Sequence, residues 1–213
     1  MKKTIFLISF IALAMISMAQ KGSWYVGGQV GYSFETDKPE DADLDKTGTT
    51  TWNVSPEFGT FITNSLQLGF VGGFSGEAQK EGDNKVYSIL DITPTIYVRN
   101  FYKFTDNLSA FAGLYFHYNN GIDKNYTYNT DGTEVEVQTT HMGFGTSLGL
   151  GLAYALSPRF TVLGQYGLFG FSTVGYKNNE DEKTNHVTNA EFGVNTVGSG
   201  TAFNVGVYYT FKK

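Results

Sequence analysis

Apolar and polar positions alternate with a period of two along most of this chain. Near the C-terminus Phe203, Val205, Val207, Tyr209 and Phe211 form one face, and Asn204, Gly206, Tyr208 and Thr210 form the other. Trp24–Phe34 sets Trp24, Val26, Val30, Tyr32 and Phe34 against Tyr25, Gly27, Gln29, Gly31 and Ser33. Thr51–Ile62 sets Trp52, Val54, Phe58 and Ile62 against Asn53, Ser55, Glu57 and Gly59. The alternation continues through Leu66–Phe74, Leu90–Phe101, Leu108–Tyr118, His141–Leu156 and Phe160–Phe171. Side chains alternate across a strand and repeat near 3.6 in a helix, so these segments predict strands, eight in all. The facing of the seventh is open, and Asn189–Val197 either extends the last strand or forms a hairpin of its own.

One greasy face per strand suits a soluble sandwich or a membrane barrel, and the connections separate the two. Thr63–Ser65, Lys103–Asn107 and Ser157–Arg159 are short, whereas the acidic stretch after Phe34, the segment Asn119–Thr140 and the segment Tyr176–Gly200 are long and polar. A medium loop is expected over Glu77–Lys85. Short turns at one end and long loops at the other describe an outer-membrane barrel, with its turns in the periplasm. Most segments also reach the ~9–11 residues a tilted membrane strand needs. Aromatic residues gather near the turns (Trp24, Phe101, Tyr102, Phe104, Tyr154, Phe160) and towards the loops (Tyr32, Phe34, Phe74, Tyr87, Tyr118, Phe171), as two interfacial girdles would. Pro56 and Pro94 lie inside expected strands, where they cannot donate to a ladder, and mark bulges or local breaks.

Composition agrees with hydrocarbon on the outside. Charged residues make up 16% of the 213 residues, aromatics 16%, and there are 26 glycines; ordinary soluble proteins carry about 25% charge. The net charge of -5 offers no electrostatic case for nucleic acid. Absence of cysteine excludes disulfides, thiolate metal sites and a lipid-modified N-terminus. Lys2 and Lys3, the apolar run Ile5–Ile16, and Ser17-Met18-Ala19 describe a cleaved signal peptide over residues 1–19. Residues 20–213 are then one domain, an all-β, eight-stranded antiparallel up-and-down transmembrane β-barrel.

The segments Asn53–Phe74 and Leu90–Phe116 share a hairpin pattern: proline, aromatics, a Thr-Asn or Thr-Asp-Asn turn, then leucine and a glycine-rich strand. This pattern resembles the outer-membrane β-barrel ("porin family") proteins of Bacteroidetes-type Gram-negative bacteria, and the architecture is similar to small OmpA/OmpX-type barrels. The resemblance spans essentially the whole mature chain and says little about activity. Asn204, Gly206, Tyr209 and Phe211 look like the terminal signal read by the barrel-assembly machinery, although Lys212 and Lys213 follow where that pattern usually ends. Outer-membrane lipids and that machinery are the implied partners of a monomer, with an extracellular partner unknown.

Eight strands enclose just enough room for side chains or one small ligand. Glu57, Asp91 and Arg99 are the charged positions facing inward, and two outcomes are open. Either Arg99 pairs with one of the acids and plugs the lumen, or water fills it. Catalysis finds little support: His117, His141 and His186 lack a nucleophile and an orienting group at suitable spacing. Two histidines without a third ligand are a poor metal site, and Glu40–Asp45 lacks the glycine and terminal glutamate of a calcium loop. No cofactor or metal is expected. The expected function is structural or surface-interacting, through long extracellular loops. A narrow channel for small solutes is the alternative, and a lipid-acting enzyme the third reading.

Overall fold

The computed structural model describes residues 21–37, 46–129, 132–178, 184–192 and 204–211. The expected signal peptide, the acidic stretch Glu40–Asp45 and the final two lysines lie outside these residues. The strands are β1 Trp24–Asp37, β2 Thr47–Phe61, β3 Leu66–Glu81, β4 Asn84–Lys103, β5 Leu108–Tyr128, β6 Glu134–Ala155, β7 Phe160–Asn178, β8 Thr184–Phe192 and β9 Asn204–Phe211. From β1 to β7 each pairs antiparallel with its successor. β9 closes the sheet by pairing with both β7 and β1.

The eighth position of the wall is shared. β9 covers Phe160–Gln165 of β7, and β8 covers Phe169–Lys177 further along the same strand. Asn189–Phe192 is thus the end of a strand hairpinned onto β7, while 193–197 lies outside the described residues.

The turn end is built three times with one device. Thr63 Oγ1 accepts the backbone N–H of Ser65 and Leu66, Thr105 Oγ1 those of Asn107 and Leu108, and Ser157 Oγ those of Arg159 and Phe160. Such hydroxyl-to-backbone bonds fix a tight turn without a glycine. At the other end the strands run well past the segments that alternate. β5 has 21 residues and β6 has 22, so most of the expected Asn119–Thr140 loop is strand. The expected loop Glu77–Lys85 is a tight hairpin turned by Gly82, at φ 59, and Asp83. Above the bilayer both faces of the sheet are wet, so period-two alternation fades there while backbone pairing continues.

Pro56 and Pro94 interrupt the ladder without shifting it. Val54↔Phe74 and Glu57↔Val71 flank the first gap, and Ile92↔Asn120 and Thr95↔His117 the second, in unchanged register. Bulges occur elsewhere. Between Leu148↔Phe169 and Gly149↔Gly167 the residue Leu168 is extra, which reverses the facing of β7 halfway along. Below it Leu163 and Gln165 point inward, and above it Phe169 and Phe171 point out.

The outward positions form an apolar belt: Val26, Phe58, Leu68, Ile96, Leu114, Leu150 and Val207 are all exposed. Among the described residues no helix could cross a membrane, and the strands are the crossing elements. A closed sheet satisfies every backbone group in hydrocarbon, the condition such a belt imposes.

Candidate functional site

The lumen is filled in layers. At the turn end Tyr25, Phe61, Phe101, Phe111 and Tyr208 pack edge-to-face or tilted, with ring centroids 5.2 to 6.0 Å apart. Leu163 and Ala153 are buried with them. Together these residues form an apolar layer at the turn end of the lumen.

Above it lies a charged layer. Arg99, brought inward from β4, is 1% exposed, as is Glu57 of β2. Arg99 Nη1 donates to Glu57 Oε1 at 2.7 Å and Nη2 to Glu57 Oε2 at 3.3 Å, a two-pronged pair. The remaining donors are also engaged: Nε to the Tyr115 hydroxyl at 2.9 Å, Nη1 to Gln67 Oε1 and Nη2 to Gln165 Oε1, both at 3.4 Å. All five N–H groups of the guanidinium therefore have acceptors. Glu57 takes two further bonds, from the Tyr208 hydroxyl at 2.7 Å and from the Tyr97 hydroxyl, which also meets Tyr25. The guanidinium carbon lies 4.0 Å from the Tyr97 ring centroid, stacked on its face.

Glycine makes room for this layer. Gly69 sits opposite Tyr97 on the neighbouring strand, and a Cβ there would strike the hydroxyls of both Tyr97 and Tyr25.

Asp91, the third inward charge read from the sequence, stands apart from Arg99. It lies higher in the barrel, where His141 Nε2 meets Asp91 Oδ1 at 2.7 Å and His141 Nδ1 meets Asp123 Oδ2 at 3.2 Å. The Tyr176 ring lies 5.7 Å from that of His141. Asp123 falls beyond the alternating part of β5, so periodicity did not single it out. His117 is opposite Gly145 and His141 opposite Gly121, so the two histidines are four residues apart along the ladder. That is about 13 Å at strand rise, too far to share a ligand. His186 belongs to β8. Among the described residues no group of three His, Asp or Glu is arranged to hold a metal ion.

Of the four terminal positions, Gly206 is buried in the wall, Tyr209 packs edge-on against Phe160 and Phe211, and Phe211 is exposed at the turn-end rim. Asn204 is the first residue of β9 and pairs with Gln165. Arg159 donates to the Tyr209 hydroxyl at 2.9 Å.

A closed antiparallel wall, an outward apolar belt and a packed polar interior define a small β-barrel of the outer membrane. One solved structure supports the fold, and two others match it more weakly. The outer membrane protein OprG from Pseudomonas aeruginosa matches with TM-score 0.50 at 14% identity, over 92% of this chain and 100% of that one. Neisserial surface protein A matches with TM-score 0.37 at 12% identity, over 90% and 100%. The attachment invasion locus protein Ail of Yersinia pestis matches with TM-score 0.37 at 12% identity, over 91% and 100%. No protein-family model and no curated protein sequence matches the chain.

Proposed function

We propose that this chain is a monomeric outer-membrane barrel, of the type labelled porin family in Bacteroidetes, whose lumen is closed and whose work is done outside the cell. The observation that carries this reading is the Arg99–Glu57 layer seated on the aromatic layer. Two successive barriers of different chemistry fill the cross-section, and ions would have to displace both. The external role is supported by the extent of the sheet. β4 to β7 have 19 to 22 residues, about twice what a bilayer crossing requires. Their projecting part is cross-braced: the Tyr128 hydroxyl accepts the Lys85 N–H at 3.0 Å, and Lys124 pairs with Glu136 at 2.7 Å. A braced blade is a surface on which an extracellular partner could be held.

Gly206, Tyr209 and Phe211, with Asn204, act in this reading as the terminal signal for the assembly machinery. The exposed rim position of Phe211 supports it. A catalytic role is disfavoured by His141, whose two nitrogens both face carboxylates and not a hydroxyl nucleophile.

Single-channel recording of the refolded barrel in a planar bilayer tests the central claim. Electrical silence from correctly folded protein is expected. Discrete conductance steps would overturn the closed lumen and establish the narrow-channel alternative.

A further inference from the structure

Between the Arg99 layer and the His141 cluster the lumen holds a cavity of about 110 Å³. Its wall includes Asn53, Ser55, Thr93, Thr95, His117 and Ser147, and Arg99, Tyr115 and Gln165 reach it from below. We propose that this chamber is a binding site for a small, neutral, polyhydroxylated solute that enters from the extracellular end.

Charge excludes the other ligand classes. No carboxylate is among the described residues that line the chamber, so it offers a cation no negative charge. Its one formal cation, Arg99, has every N–H committed to Glu57, Tyr115, Gln67 or Gln165, so no donor is left for an anion. What remains is uncharged hydrogen-bonding capacity. Ser55 and Ser147 carry hydroxyls to its wall. The His117 ring faces the chamber and makes no hydrogen bond to a described residue. Serine and threonine hydroxyls both donate and accept a hydrogen bond. A polyol matches this mixture because each of its hydroxyls also does both.

Size and access limit the ligand further. A water needs at least ~10–15 Å³ of such volume, so the chamber holds several waters or one molecule of a few carbons. It is too small for an acyl chain or a folded segment. The aromatic layer closes the turn end, which leaves the loop end as the approach. Waters occupy the site when solute is absent, and a polyol that reproduces their bonds displaces them at little cost.

The test is a glycerol titration of the refolded full-length barrel in glycerol-free detergent micelles, followed by NMR of the His117 ring and the Thr93 and Thr95 methyls. Saturable shifts confined to these residues are expected, with sodium sulfate giving none. Ser147→Leu, which fills the chamber, is expected to weaken binding at least tenfold while the barrel keeps its heat-modifiable gel migration. Thr95→Val, nearly isosteric, removes one hydroxyl and is expected to weaken it several-fold, so the test stands if the larger variant does not fold. Shifts that rise linearly, spread over the surface, or persist unchanged in both variants would overturn the proposal. So would preferential binding of sulfate. A conducting barrel with saturable glycerol binding would sink the closed lumen and leave the chamber standing.

Discussion

Replacing Arg99 by alanine tests the interior most directly. The substitution removes the only cation facing Glu57 among the described residues and leaves that carboxylate, 1% exposed in the intact protein, with the Tyr97 and Tyr208 hydroxyls as its remaining donors. Breaking a buried pair by deleting one partner costs about 3–5 kcal/mol, because the other charge is left uncompensated. The two tyrosines hold the loss towards the lower figure. The vanished stacking on Tyr97 and the bonds to Tyr115, Gln67 and Gln165 push it upward. At a urea slope of roughly 1–3 kcal/mol per molar, the unfolding midpoint in micelles falls by about 1 M or more. The double variant Glu57→Met with Arg99→Met removes both charges and keeps volume, so it should lie much closer to wild type than either single change. A midpoint unchanged in Arg99→Ala, or a double variant as unstable as the two singles summed, would refute the claim that this pair organises the core. Conductance adds an independent check. The aromatic layer beneath is untouched, so Arg99→Ala is expected to stay electrically silent even though it is less stable.

Other consequences follow from the same layers. Gly69→Ala drives a methyl into the Tyr97 and Tyr25 hydroxyls and should destabilise by about 1–3 kcal/mol, measured by the same urea unfolding. Ile96 faces outward and is 56% exposed; Ile96→Arg should cost about 2–4 kcal/mol in lipid if it sits near the midplane. The same change should be far milder in a bilayer-free, water-soluble fold, so unfolding from vesicles discriminates the two. Tyr87, on the projecting part of β4, donates to Glu77; this bond, with burial and the carboxylate charge, pushes its phenol up to about 12. The folded protein thus holds that proton more tightly than the unfolded chain. The contribution is complete below about pH 10 and is lost as pH rises through about 12. Ultraviolet titration of Glu77→Gln against the parent protein should show the ionisation of one tyrosine moving from late to ordinary.

Alternation together with the sorting of short turns from long connections determined the barrel. Residues such as Val26, Phe58, Leu68 and Ile96 sit at every second position because one face of each strand must meet hydrocarbon, and that demand is local. The three short turns were equally plain, since each carries its hydroxyl residue within the turn itself. Where the solvent is the same on both faces the signal vanishes, and for that reason Asn119–Tyr128 of β5, Glu134–Thr140 of β6 and Tyr176–Asn178 of β7 were read as loop. The break in β7 was unreadable in the same way, because one extra residue at Leu168 swaps the two faces without changing the composition of either. The interior was decided by tertiary structure. The sequence marked Glu57, Asp91 and Arg99 as inward charges; Asp91 is eight residues from Arg99 on one strand, about 26 Å at strand rise, and whether Glu57 meets Arg99 depends on the stagger of β2 against β4. That stagger sets Glu57 against Arg99, and the pairing of β5 and β6 brings Asp123 and His141 to Asp91. Facing is a property of a single strand, whereas partnership belongs to the closed wall.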